Sequence, residues 1–154
     1  MPPPARKLRV LFVCIGNACR SPMAEAIARQ VAPDIMEPSS AGLSPLGRIE
    51  KSTQDTLLSN GYSLRGLSSK GLARSAVEQA DLIVNMSGRT LDGIFDHSRS
   101  AAGSGLAKKL ETWHVKDPYG EDPATYQRIL EQLETKVLLL ASRLRDRRRA
   151  ASNS

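Results

Sequence analysis

Four side chains in this sequence are of types that do chemistry together: two thiols, a guanidinium and a distant carboxylate. Cys14 ends an apolar run, LRVLFV at residues 8–13, and Arg20 follows it after Ile15, Gly16, Asn17, Ala18 and Cys19. Ser21 and Pro22 come next, and a helix-like pattern begins at once. The order strand, tight loop, helix start makes an anion cradle with a built-in nucleophile. Gly16 lets the backbone bend toward a ligand, and successive N–H groups of such a turn point inward as a nest. Pro22 suits the first turn of a helix, whose free N–H groups and dipole favour negative charge. Arg20 can grip two oxygens of a tetrahedral oxyanion with its planar fork. The same field favours a thiolate at Cys14, which is then a competent nucleophile. Ser21 is placed to donate to that sulfur, and Asn17 to lock the loop from behind.

Attack on phosphorus expels an alkoxide, phenolate or amine that must be protonated. The cradle holds no acid, and the best candidate elsewhere is Asp117 in KDPYG, where Pro118 fixes the backbone beside it. Tyr119 follows and can line a pocket for a flat group. Asp92 and Asp96 are lesser candidates. His97 and His114 are read as half-exposed histidines, and Glu25 as a solvated helix carboxylate, with loop orientation the alternative. Cys14 and Cys19 are the only cysteines and the two histidines lie far off, so no metal or cofactor is expected. No G-x-G-x-x-G follows the first strand, which argues against a dinucleotide site.

The elements that must position these residues follow from periodicity. The run at 8–13 lacks strict alternation and reads as a strand buried on both faces, with its loop at the carboxyl end of a parallel sheet. A helix is predicted over 22–31, stopping before Pro33. Residues 36–42 hold a short strand and a bend, and 43–50 a loop that flanks the pocket. A helix follows over 49–59, with Gly61 as its stop. Ser69 is taken to cap another helix over 70–79, and 81–86 reads as a strand. A short helix, a short strand near Ile94 and Phe95, and a mobile loop are expected over 88–105, then a helical turn over 106–111. Asp122 as N-cap and Pro123 as first residue start the last helix, predicted over 123–147.

At 154 residues the chain is most simply one catalytic domain, with an ordered core over 8–147 and flexible ends at 1–7 and 148–154. The net charge is +6, but the five arginines and one aspartate of 143–149 contribute +4 of it, leaving +2 for the rest. The body is therefore no strong nucleic-acid binder, and the tail reads as a solvated charge run. Cysteine usage, the absence of a secretion signal and the absence of a run approaching about 20 apolar residues point to a cytoplasmic protein without a membrane span.

With these residues in view, the sequence resembles the low-molecular-weight protein tyrosine phosphatases. C-I-G-N-A-C-R-S-P at 14–22 is similar to that family's phosphate loop, and M-A-E-A at 23–26, S-A-G at 40–42, A-D-L-I at 80–83, Met86 and D-P-Y-G at 117–120 match in order. The resemblance covers about residues 8–142. It implies an α/β, three-layer, flavodoxin-like fold with a four-stranded parallel sheet flanked by helices. It further implies Cys14 as nucleophile, Arg20 as phosphate clamp, and Asp117 as general acid then base. Ser21 and Asn17 become support residues. Cys19 corresponds to a second loop cysteine that pairs reversibly with the nucleophile under oxidation.

Ile15, Gly16, Asn17, Ala18, Cys19, Ser21, Leu46 and Tyr119 form the expected substrate site. The expected activity is hydrolysis of protein phosphotyrosine through a phosphocysteine, on a phosphorylated protein or a small phosphomonoester, with inorganic phosphate as product and inhibitor. Leu46 stands where tyrosine-directed members carry an aromatic residue, and Ser87 where an acid is usual. Ala18 replaces the bulkier aliphatic of tyrosine-directed members and the threonine of arginine phosphatases. A protein-arginine phosphatase and a thiol-linked arsenate reductase are therefore alternatives on the same scaffold. A third is a non-enzymatic module that recruits a partner through the Arg-rich tail.

Overall fold

The computed structural model of the protein describes residues 6–91 and 105–153. The apolar run forms β1, Leu8–Cys14, the strand around which the others assemble. It pairs in parallel with β2, Met36–Gly42, on one side and with β3, Leu82–Asn85, on the other. A short edge strand, β4 (Leu110–Thr112), pairs in parallel with β3 and completes a four-stranded sheet of order β2-β1-β3-β4.

Both faces of β1 are covered, which is why its sequence is apolar without alternation. Val10 and Phe12 face the larger core, built with Met23 and Ile27 of α1 (Arg20–Val31), Leu57 of α2 (Lys51–Ser59), and Leu130, Leu133 and Val137 of α4 (Pro123–Ser152). Leu11 and Val13 face a smaller cluster with Val77 of α3 (Arg74–Gln79), Ile83 and Leu91. The result is the three-layer flavodoxin-like arrangement. Because the chain leaves β1 for β2 on one side and β3 lies on the other, the carboxyl end of β1 is the switch point where open α/β sheets bind ligands.

Several boundaries differ from expectation. The helix expected over 22–31 begins at Arg20, and that expected from 49 begins at Lys51. The helix expected over 70–79 is only α3, and Ser69 does not cap it. Residues 70–72 instead run extended beside β2, with Gly42 donating to the Lys70 carbonyl and Leu72 donating to the Gly42 carbonyl. The turn expected over 106–111 is helical only at 105–108 and then becomes β4. The short strand expected near Ile94 and Phe95 lies outside the described residues, as do Asp92, Asp96 and His97.

The last helix begins as expected, with Asp122 Oδ1 accepting from the Thr125 N–H at 2.9 Å and Pro123 in the first turn. It runs on to Ser152, so residues 148–152, expected to be flexible, are helical. Acids meet its terminal arginines: Arg143 pairs with Glu111, Arg149 with Asp146, and Arg145 makes two 2.8 Å bonds to Asp34. Among the described residues no helix is long and apolar enough to cross a membrane.

Candidate active site

Cys14 is the last residue of β1, opposite Gly42 in the register with β2. The loop after it is held by main-chain bonds to the segment beyond β2: Leu43 donates to the Cys14 carbonyl, Ser44 to that of Ile15 and Leu46 to that of Gly16. Gly42 must be a glycine, because a Cβ there would lie 2.6 Å from the Ile15 carbonyl oxygen and 2.8 Å from the Asn17 nitrogen. The left-handed residue of the loop is Asn17, at φ 47°, a conformation that Asn tolerates better than other side chains. At Gly16 the backbone is ordinary, and a Cβ would press on Leu46 at 3.2 Å.

The Asn17 side chain fixes the direction of a buried hydrogen-bond chain. Its Oδ1 accepts from the Lys70 main-chain N–H at 2.8 Å, a group that can only donate. Its Nδ2 therefore supplies both hydrogens, one to Ser21 Oγ at 2.8 Å and one to Ser40 Oγ at 2.9 Å. Each hydroxyl keeps its own hydrogen to give. Ser40 donates to Glu25 Oε1 at 2.5 Å, and Ser21 is left to donate to Cys14 Sγ at 2.9 Å. The sulfur thus faces an oriented hydroxyl donor.

Glu25 is not the solvated carboxylate expected. It is 1% exposed, packed between α1 and β2, and ion-paired with Arg29 one turn on. Arg29 donates in turn to the Arg65 carbonyl at 2.8 Å. The buried charge is tolerated because both carboxylate oxygens have partners.

Arg20 is 5% exposed and held from behind. Its Nη1 donates to the Met86 carbonyl at 2.6 Å, past the end of β3, and to the Val115 carbonyl at 3.1 Å, past the end of β4. Its Nη2 lies 3.6 Å from Asp117 Oδ2. Asp117 Oδ1 accepts from the Tyr119 N–H at 3.1 Å, a turn that leaves the carboxylate half-exposed.

These groups meet in one cavity of about 310 Å³, with Cys14, Ile15, Gly16, Ala18, Cys19 and Arg20 below and Ser44, Leu46, Asp117 and Tyr119 at its rim. Sequence reasoning thus gathered residues from three segments, the cradle, the loop at Leu46 and the turn at Asp117 and Tyr119, that do converge. Asn17 and Ser21, counted with the substrate-binding residues, do not line the cavity: both are 0% exposed, with side chains spent on the chain of bonds beneath it. Ser40, Ser69 and the Met86 and Val115 carbonyls went unrecognised. Ser69 Oγ donates to the Gly16 carbonyl at 3.0 Å and accepts from the Gly47 N–H at 3.1 Å, tying the cradle to the rim. Only the serine pair ahead of Ala41 and Gly42 gave a signal, since a hydroxyl near the end of a strand beside β1 is unusual in an apolar layer.

Cys19 is a buried thiol at the cavity floor, its Sγ 3.5 Å from the Tyr126 hydroxyl, and burial pushes its pKa up. Neither it nor Cys14 is in a disulfide. His114 is exposed, and its carbonyl accepts from Gln132. Among the described residues no cluster of three His, Cys, Asp or Glu side chains could hold a metal.

Comparison with known proteins points to one family. A probable low molecular weight protein-tyrosine-phosphatase of Ralstonia nicotianae is 33% identical over 141 residues, covering 88% of this chain and 95% of the relative. A protein-arginine-phosphatase of Bacillus subtilis is 31% identical over 156 residues, covering 91% and 99%. The solved arginine phosphatase YwlE of Geobacillus stearothermophilus superposes with a TM-score of 0.76 at 26% identity, over 91% of this chain and 94% of its own. The profile described as low molecular weight phosphotyrosine protein phosphatase matches residues 9–150, and the chain belongs to that family of cysteine-based phosphatases.

Proposed function

We propose that the protein hydrolyses phosphotyrosine on proteins through a phosphocysteine intermediate. The observation that carries this reading is the Cys14 sulfur, 2.9 Å from the Ser21 hydroxyl, in the same cavity as the anchored Arg20 guanidinium and the Asp117 carboxylate. In the first step Cys14 Sγ attacks phosphorus in line and the bond to the leaving oxygen breaks. Asp117, as the acid, gives that oxygen its proton. Arg20 and the loop N–H groups hold the equatorial oxygens, where transition-state charge is spread. In the second step Asp117, now a carboxylate, takes a proton from water as it attacks the phosphocysteine. Inorganic phosphate leaves and the thiolate returns.

The substrate class rests on the rim. Leu46 and Tyr119, 48% and 55% exposed, stand as apolar and aromatic walls suited to a flat ring. A second reading, phosphoarginine, is supported by the names of two relatives and by Ala18, whose small side chain leaves the floor open to a longer, flexible group. Peptides carrying phosphotyrosine, phosphoarginine or phosphoserine, assayed with wild type and Cys14→Ser, decide between them. The expected order has phosphotyrosine first and no turnover by the variant. Faster release from phosphoarginine makes the second reading the right one, and near-normal turnover by Cys14→Ser removes the thiol mechanism altogether.

A further inference from the structure

A second cavity, of about 450 Å³, is lined by Gly47 and Arg48, the residues that follow Leu46 of the catalytic rim. Its apolar floor is Ile49, Leu64 and Leu67, and Arg48, Ser68 and Ser69 supply polar wall. No acidic side chain lines it. The Arg48 side chain is 76% exposed and ion-paired with Glu50, Nη2 lying 3.6 Å from Glu50 Oε1; that exposure leaves it reachable by a second carboxylate, in competition with Glu50. Lys70 sets its ammonium on the carbonyl of Ser68, a residue of the same wall, at 3.0 Å. Two cations thus border an apolar floor.

The two cavities share a wall. Leu46 belongs to one and Arg48 to the other, so their Cα atoms are at most about 7 Å apart. Ser69 ties that wall to the cradle through Gly47 and Gly16. An extended peptide advances about 3.3 Å per residue, which puts a side chain two or three residues from the phosphorylated one over the second cavity.

We propose that this cavity is a substrate subsite that receives an acidic side chain two or three residues from the phosphorylated residue, which makes the preferred substrate an acidic polypeptide rather than a small phosphomonoester. The proposal rests on the reading of the catalytic cavity above. The cations border the acid, and its neighbouring methylene groups or an adjacent apolar side chain cover Ile49, Leu64 and Leu67.

The test is a set of phosphotyrosine peptides in a neutral background, each with one Glu moved through the three positions on either side. Each is compared with the Lys counterpart and with a small aryl phosphate, for wild type and Arg48→Glu. An acid at the matching position should raise wild-type kcat/KM about 5-fold at low salt, a gain of the size exposed ion pairs give, and added salt should erase it. Arg48→Glu should lose the preference for Glu, favour Lys at the same position, and hydrolyse the aryl phosphate as wild type does. A flat response to position, or an unchanged preference in Arg48→Glu, overturns the subsite. Failure of wild type on the aryl phosphate would instead count against the catalytic reading.

Discussion

Replacing Asn17 separates two contributions that the cradle combines. Its side chain makes three buried hydrogen bonds of 2.8, 2.8 and 2.9 Å, to Lys70, Ser21 and Ser40. A buried hydrogen bond contributes about 1 kcal/mol net, so losing all three costs about 3 kcal/mol. The residue also sits at φ 47°, where Ala is disfavoured by about 1 kcal/mol and Gly is not. Asn17→Gly should therefore lose about 3 kcal/mol and Asn17→Ala about 4 kcal/mol. For a chain of this size these are falls in Tm of about 6–12 °C and 8–16 °C.

Activity should behave differently from stability in this pair. Without Asn17 the Ser21 hydroxyl is free to turn from the sulfur, and kcat/KM on an aryl phosphate should fall by about 10–100-fold in both variants alike. Urea unfolding and steady-state kinetics on the two proteins read these quantities. Equal stability of Gly and Ala would refute the argument from φ. A loss below about 1 kcal/mol in either would refute the hydrogen-bond chain, and wild-type kinetics in both would show that the orientation of Ser21 does not matter to the sulfur.

Three further outcomes follow from the geometry. Asp117→Asn should slow substrates with poor leaving groups about 100-fold or more and those with good ones far less; equal losses, read from a series of aryl phosphates, would take Asp117 out of the acid's place. Glu25→Gln keeps an acceptor for Ser40 but drops the charge facing Arg29; urea unfolding should register a loss of about 1–2 kcal/mol while kcat stays within a few-fold. Arg145 holds the Asp34 carboxyl at about 2, below its ordinary 3.8, so the pair stabilises the fold above pH 4 and that gain disappears as pH falls toward 2. Because Asp34 is half-exposed, Asp34→Asn should lose under about 1 kcal/mol at pH 6 and only a small part of that at pH 2, as measured by denaturant midpoints at the two values.

The cradle was legible because its nucleophile, its loop and its guanidinium are contiguous in sequence. The apolar run, the five-residue loop and the helix start lie within fifteen residues, and each has a local physical reason. Asp117 and Tyr119 were legible as a turn whose chemistry made sense only beside a thiol. What the sequence hid is non-local. Glu25 looks like any helix carboxylate until Ser40 and Arg29 are known to meet it. Lys70 to Leu72 read as helix because nothing local announces that Asn17 and Gly42 claim their main-chain groups. Strand β4 is three residues long, too short for any periodicity to mark it. The Arg-rich tail read as a solvated run because the acids that meet Arg143 and Arg145 lie 32 and 111 residues away.

The anchoring of Arg20 ties reactivity to the margin of the sheet. Its guanidinium is immobilised by carbonyls that exist in the right place only when β3 and its short, outermost neighbour are docked. Fraying begins at such margins well before the centre gives way. On gentle heating the enzyme should therefore fall silent while most of its helices still stand, and recover as soon as that border closes again.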